Sequence, residues 1–276
     1  MQLEQKNDAF IVRNKYYSGW EKWILLMSDE HFDSKKCDRK LLKRHHDEAK
    51  ERNALIFKFG DTFDCMGGKY DKRTHKGDIR PEYQEANYFD RLKEDAAEFY
   101  GPYAENIALI TPGNHELSVL MRHEIDLVGS LAKSLNCSVG KYSGFIRFQF
   151  ETKAGANKKS FTLYYTHGSG GGAPVTKGVI QNNRRQHTVD ADFYVSGHIH
   201  TGTLQPRPKV YLSEQGVVNF REPEHIILGA YKNEFLAGQW ADTKGLDPAV
   251  LGGMWLRFYN TNGQINGLKY DLIRAK

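Results

Sequence analysis

The chain has 276 residues, 39% hydrophobic and 26% charged, which is ordinary soluble composition, and no apolar run approaches the roughly 18–20 residues that a membrane-spanning helix needs. Lys and Arg outnumber Asp and Glu by 39 to 34, and a net charge of +5 is too mild to demand a nucleic-acid partner. The N-terminal stretch scatters its charges and lacks an apolar centre with a small-residue cleavage site, and Cys37, Cys65 and Cys137 contain no C-x-x-C pair; the expectation is a cytoplasmic protein with reduced thiols and neither a disulfide framework nor a cysteine zinc site.

Residues 1–22 precede the first predicted strand as an extension. Residues 23–27 (WILLM) and 55–59 (LIFKF) predict strands on either side of a charged helix. That helical stretch, 35–52, carries eight Lys or Arg against four Asp or Glu. It reads as a solvated face over Leu41, Leu42 and Ala49, or as a patch facing a polyanion. A second helix is predicted over 82–100 from the spacing of Tyr88, Phe89, Leu92, Ala96, Phe99 and Tyr100, followed by a strand at 107–111. A third helix covers about 116–136, with Leu117, Leu120, Met121, Ile125, Val128 and Leu131 on one face and Gly129 weakening it. Past residue 140 the period changes to two. Residues 145–150 and 161–165 predict a hairpin, a helix follows at about 176–188, then a strand at 193–196, and 204–276 reads as strands that complete a second sheet. With no linker, repeat or low-complexity segment, the expectation is a single α/β domain over 1–276, a sandwich of two mixed sheets flanked by helices.

Five short segments stand directly after predicted strands, where open α/β architectures gather polar side chains into a crevice. They are Asp29-Glu30-His31, Gly60-Asp61-Thr62-Phe63-Asp64, Gly113-Asn114-His115-Glu116, Thr166-His167-Gly168 and Gly197-His198-Ile199-His200, and they hold five of the eleven histidines. Singly, each has a structural explanation: an Asp and a His two apart are common at strand ends, and Asp64 or Asn114 suits a helix start. His198 and His200 are stronger, because alternate residues of an extended chain point the same way. Together and in order they offer carboxylate, imidazole and amide groups, the mixture suited to divalent metals of intermediate hardness.

This order resembles the calcineurin-like metallophosphoesterases, whose pattern is D-x-H, G-D-x-x-D, G-N-H-[DE], a lone His and G-H-x-H. All of it is present, as DEH, GDTFD, GNHE, the His of THG, and GHIH, between residues 23 and about 203. The resemblance implies a metallophosphoesterase-type β-sandwich and two divalent metal ions. One would be bound by Asp29, His31, Asp61 and His200, the other by Asp61, Asn114, His167 and His198. A shared carboxylate offsets the repulsion between cations about 3.5–4 Å apart, which together acidify a bridging water into the hydroxide that attacks phosphorus. By the same resemblance His115 is no ligand; it contacts the phosphoryl oxygen or protonates the leaving alkoxide, and Asp64 orients and charge-stabilises it. Glu116 is expected to support the loop or begin the next helix. Manganese is favoured, and iron, zinc or nickel suits the same donors.

Protein phosphatases of this superfamily continue the second motif with Arg-Gly and grip a phosphomonoester dianion with that Arg. Here Asp64 is followed by Cys65-Met66-Gly67-Gly68. That favours phosphodiesters, of nucleotide type or other small diesters, unless Lys69, Lys72 or Arg73 supplies the cation. The loop holding them, about 65–81, reads equally as a surface insertion and as a substrate lid. The run 168–174 (GSGGGAP) looks like a phosphate cradle but lacks the Lys-Ser/Thr of a P-loop. The alternatives are a phosphomonoesterase, a nuclease of the same superfamily tracking a backbone with 35–52, and a non-catalytic scaffold. Residues 204–276 are few for the capping domain of such a nuclease, and the retained His115 argues against a scaffold. No membrane partner is expected, nucleic acid is possible but not required, and a homo-oligomer is compatible with the sequence.

Overall fold

Alternation in WILLM and LIFKF sorts their side chains to the two sides of one sheet, and that sorting organises the molecule. The computed structural model describes residues 3–65, 76–84, 86–152, 155, 158–170, 179–233 and 248–276. One mixed sheet has the order β1 (Leu3–Lys6), β2 (Ala9–Tyr16), β7 (Ser143–Thr152), β8 (Lys159–Thr166), β9 (Phe193–Ser196), β13 (Glu224–Ile227), β10 (Thr203–Pro206). The other has the order β15 (Leu268–Arg274), β14 (Met254–Asn260), β3 (Glu21–Met27), β4 (Leu55–Phe59), β5 (Ile107–Thr111), β6 (Ser138–Val139). β11 (Lys209–Leu212) and β12 (Val218–Arg221) pair only with each other.

Ile24, Leu26, Phe57 and Phe59 meet Phe148, Phe150, Leu163 and Val195 in a core between the sheets. The alternate residues Leu25, Met27 and Ile56 turn to a second core under α1 (Arg39–Glu51), α2 (Tyr88–Tyr100) and α4 (Leu127–Leu135). In α1 the buried face is Leu42, His45, His46 and Ala49, and the Asp38 carboxylate caps the helix by accepting from the Leu41 N–H at 2.9 Å. The expected architecture of two mixed sheets flanked by helices is therefore present.

Several boundaries differ from expectation, each for a local reason. Residues 1–22 are not a bare extension: β1 and β2 form a hairpin, and β2 lies parallel to β7. The segment 204–276 does not serve the second sheet alone, since β10 and β13 complete the first sheet and β14 and β15 extend the other. Alternation reports that a segment is a strand but carries no record of which sheet receives it. The helix expected over 116–136 is two, α3 (Asn114–His123) and α4, because Glu124 takes a left-handed φ of 57° and Asp126 caps α4 through the Gly129 N–H. The helix expected from 82 begins at Tyr88, after a single 3₁₀ turn at Pro81–Tyr83. Of the expected helix at 176–188, α5 (Val179–Thr188) is described. Lys69, Lys72, Arg73 and most of the 65–81 loop lie outside the described residues, as does 171–174.

Lys58, the one charged residue of β4, points to the helical layer and is fully buried. Its ammonium lies 2.7 and 2.8 Å from the two oxygens of Glu30 and 3.7 Å from the centre of the Tyr100 ring, and the Tyr100 hydroxyl donates to Glu30 at 2.6 Å. This anchors the middle of the Asp29-Glu30-His31 segment on the side away from its neighbours. Removing one partner of a buried pair strands the other charge. Glu30→Gln is accordingly expected to lower the unfolding free energy in urea by about 3–5 kcal/mol; a loss under about 1 kcal/mol, the range of an exposed pair, would contradict the account.

Candidate metal centre

The five polar segments leave the carboxyl ends of β3, β4, β5, β8 and β9, and the loops of the two sheets meet in one crevice. The backbone turns sharply there. Asp29, His31, Asp61, His198 and His200 all have left-handed φ, between 48° and 73°. Such conformations cost a non-glycine residue about 1 kcal/mol or more each and persist only when the surroundings impose them. The surroundings are explicit. Asp29 N–H donates to Gly60 O at 3.1 Å, His31 N–H to Asp61 O at 3.0 Å, Gly197 N–H to His167 O at 3.0 Å, and His198 N–H to Asp29 Oδ2 at 2.8 Å. Glu116 is fully enclosed and accepts from the backbone N–H groups of Asp61 (3.2 Å), Phe63 (2.9 Å) and Gly113 (2.8 Å), so it ties the second motif to the third and closes the start of α3. Burial, then the charge of Asp61, pushes its carboxyl up to about 7.

The motif glycines are explained by close approach. A Cβ on Gly113 would overlap the Asp61 carboxylate, one on Gly60 would meet the His167 ring and Gly113, and one on Gly197 would overlap Ser28 and the Asp29 carboxylate.

Two triplets adjoin in the crevice. Asp29, His31 and His200 offer ligand atoms within 4.8 Å of one another, as do Asp61, His167 and His198. His167 Nε2 links them, 3.1 Å from Asp61 Oδ2 and 3.9 Å from Asp29 Oδ1, and the Asn114 side-chain oxygen is 3.1 Å from the same nitrogen. His200 Nε2 is 3.2 Å from Asp29 Oδ1. All seven residues expected as ligands are thus brought together. The donor chemistry fits divalent cations on two further grounds. His167 Nδ1 donates to Phe59 O at 2.9 Å, so an outer partner orients that ring and leaves its Nε2 as the inward atom, while His31 Nδ1 lies 2.8 Å from Asp64 Oδ1. Buried His31 Nε2 has no hydrogen-bond partner among the described residues.

Charge is concentrated here. Burial raises the Asp29 carboxyl, but His200 and then His167 outweigh it and hold it down at about 2. Asp61, buried likewise, is held well below the usual carboxylate range by His115 and His167. Burial opposes a charged His167, yet Asp61 and Asp29 push it up to about 10. A cation taking Nε2 would have to displace the proton that these carboxylates hold on His167.

His115 stands at the rim, 14% exposed, with Nε2 3.7 Å from Asp61 Oδ2 and its backbone N–H donating to Asp61 Oδ1 at 3.0 Å. Its Nδ1 donates to the backbone carbonyl of Asp64. Orientation of His115 by Asp64 therefore comes through the carbonyl, while the Asp64 carboxylate, 3.9 Å from His115 Nδ1, remains within range to interact with its charge. Asp64 Oδ1 is shared by His31 Nδ1 at 2.8 Å and by the Lys232 ammonium at 2.8 Å. Sequence reasoning missed Lys232; the available signal was a charge directly after the apolar run IILGAY, the position occupied by the other site residues. It also missed Asp33, whose buried carboxylate accepts from Asp64 N–H (2.6 Å), Cys65 N–H (3.0 Å) and the Tyr88 hydroxyl and so shapes the second motif's loop.

No protein-family model matches the chain, and no curated protein sequence does. Among solved structures, a metallophosphoesterase from Sphaerobacter thermophilus is similar over 93% of this chain and 88% of its own, at 13% identity and a TM-score of 0.41. A predicted phosphoesterase from Streptococcus pneumoniae TIGR4 covers 93% of this chain and 91% of its own at 12% identity and a TM-score of 0.33. Vps29 complexed with zinc, from Entamoeba histolytica, covers 92% and 99% at 9% identity and a TM-score of 0.34.

Because Gly113 leaves room for the Asp61 carboxylate, Gly113→Ala is expected to weaken Mn²⁺ binding by about tenfold or more, roughly 1.4 kcal/mol, in competition with a chelating indicator. Unchanged affinity would show that the close approach does not position Asp61.

Proposed function

We propose that this protein is a dinuclear-metal phosphodiesterase of the calcineurin-like type, acting on nucleotide-type or other small diesters. The observation that carries the reading is the pair of adjoining, largely buried triplets, linked at His167, with a further histidine at their rim that belongs to neither. Asp29, His31 and His200 would hold one cation; Asp61, Asn114, His167 and His198 would hold the other, with Asp61 shared. When bound, the two would supply charge stabilisation at phosphoryl oxygens and a nucleophile from water near neutral pH.

The chain's own residues supply the rest. A carbonyl only accepts, so the bond from His115 to Asp64 O places a hydrogen on Nδ1 and leaves Nε2 to give or take the proton in the reaction. The slight exposure of that ring opens it to a departing alkoxide, whereas Asp29, Asp61 and His167 are sealed from water. Buried surroundings strengthen each electrostatic contact inside the crevice.

Substrate class follows from the position after Asp64. Cys65 is buried there, with φ 55° and its N–H held by Asp33, so no guanidinium is offered at that point. Lys232, a cation that the described residues bring to the site, has its ammonium on Asp64. A diester monoanion needs less fixed positive charge than a monoester dianion. Manganese is our favoured metal on the nitrogen and oxygen donor set. Among the described residues no helix is long and apolar enough to cross a membrane, and the free thiols of Cys37, Cys65 and Cys137 suit the reducing cytoplasm in which we place the protein.

A panel of chromogenic esters tests this reading. With Mn²⁺, kcat/KM for bis-p-nitrophenyl phosphate or a nucleotide p-nitrophenyl diester is expected to exceed that for p-nitrophenyl phosphate by at least about tenfold. The opposite preference would replace the diesterase with a monoesterase, and turnover of neither ester would remove the enzyme.

A further inference from the structure

The crevice holds a third triplet. His31, Asp64 and His115 also offer ligand atoms within 4.8 Å of one another, the same one-carboxylate, two-imidazole set as the other two. Asp64 Oδ2 is buried and has no hydrogen-bond partner among the described residues. By donor chemistry alone, this group is as fit for a divalent ion as its neighbours. Occupation would be harmful, because it would make His115 a ligand and tie up the ring that the proposed function uses as a proton donor.

What sets the third triplet apart is Lys232. Its ammonium sits 2.8 Å from Asp64 Oδ1, with only 9% of the side chain exposed. The segment carrying it is pinned on both sides. Tyr231 N–H donates to Asp29 O at 2.9 Å, Asp38 N–H to Tyr231 O at 2.7 Å, and Asn233 N–H to Lys36 O at 2.9 Å, while Lys232 itself bridges to Cys37. The charge is therefore built into the wall of the site.

We infer that Lys232 is the resident counter-cation of the third triplet: its ammonium neutralises Asp64 and repels any divalent ion from His31, Asp64 and His115, which keeps His115 free as a proton donor. This role rests on the dinuclear reading above. Lys232 is then a positioning residue that governs where metal can bind.

The test is a double-mutant cycle read on metal binding. Co²⁺ affinity by chelator competition and the Co²⁺ visible absorption spectrum are measured for the wild type, His115→Ala, Lys232→Gln and the double variant. In the wild-type background His115→Ala should leave affinity within about twofold and the spectrum unchanged; in the Lys232→Gln background it should lower affinity by about tenfold or more and alter the spectrum. Lys232→Arg, which keeps the charge, should behave as the wild type. Equal effects of His115→Ala in both backgrounds overturn the role of Lys232. Absence of Co²⁺ binding by the wild type overturns the dinuclear reading itself. If circular dichroism shows Lys232→Gln unfolded, Lys232→Met takes its place in the cycle; failure of both to fold while Lys232→Arg folds marks Lys232 as a structural charge and overturns the inference.

Discussion

Three carboxylates, Asp29, Asp61 and Asp64, are buried within one crevice, and their mutual repulsion is the constraint from which the remaining features of the site follow. Buried anions of this density persist only beside compensating positive charge. Against burial, His200 and His167 lower the Asp29 carboxyl, His115 and His167 that of Asp61, and a short contact with His31 together with the Lys232 charge that of Asp64. None of these groups carries the charge of a divalent ion, so the three carboxylates retain the chemistry to attract one.

The fold serves that concentration of charge. Two sheets deliver five strand ends to one edge, and the loops that follow are held in left-handed turns by backbone bonds, by Glu116 and by glycines without which a neighbouring carboxylate or imidazole would be displaced. Behind them, Lys58 with Glu30 and Tyr100 fixes the middle of the first motif from the helical side. Strain at the front is thereby sustained by packing at the back. The same logic separates the histidines: His31 and His167 are sealed and the latter is oriented through Nδ1, whereas His115 is tied to a carbonyl at the rim, which leaves its Nε2 open to the proton transfer we propose.

The strand-end motifs were legible in sequence because each candidate ligand follows its strand within a few residues, and local order carries that information. The fold class was legible for the same reason: apolar alternation marked the strands, and Leu92, Ala96 and Tyr100 marked α2. What depends on distant pairing was not. Lys232 meets Asp64 from 168 residues away, and only the finished fold brings the segment after β13 across to the second motif. The division of 204–276 between two sheets was hidden likewise, since period-two alternation is indifferent to the partner strand. The break between α3 and α4 did leave a trace, because Asp126 before an apolar run is a helix start, but Ile125, Val128 and Leu131 kept the helical spacing across it. That Asp64 holds His115 through its carbonyl and not chiefly its carboxylate was hidden as well, because a motif gives order along the chain and not direction in space.

The central claim is that a single buried carboxylate joins two cation sites, and metal content measures it most directly. The wild type, loaded with excess Mn²⁺ and desalted, should retain about two ions per chain by elemental analysis, and Asp61→Ala, folded by circular dichroism, should retain essentially none. A wild type that holds no more than one ion per chain, or an Asp61→Ala variant that still holds two, would contradict it.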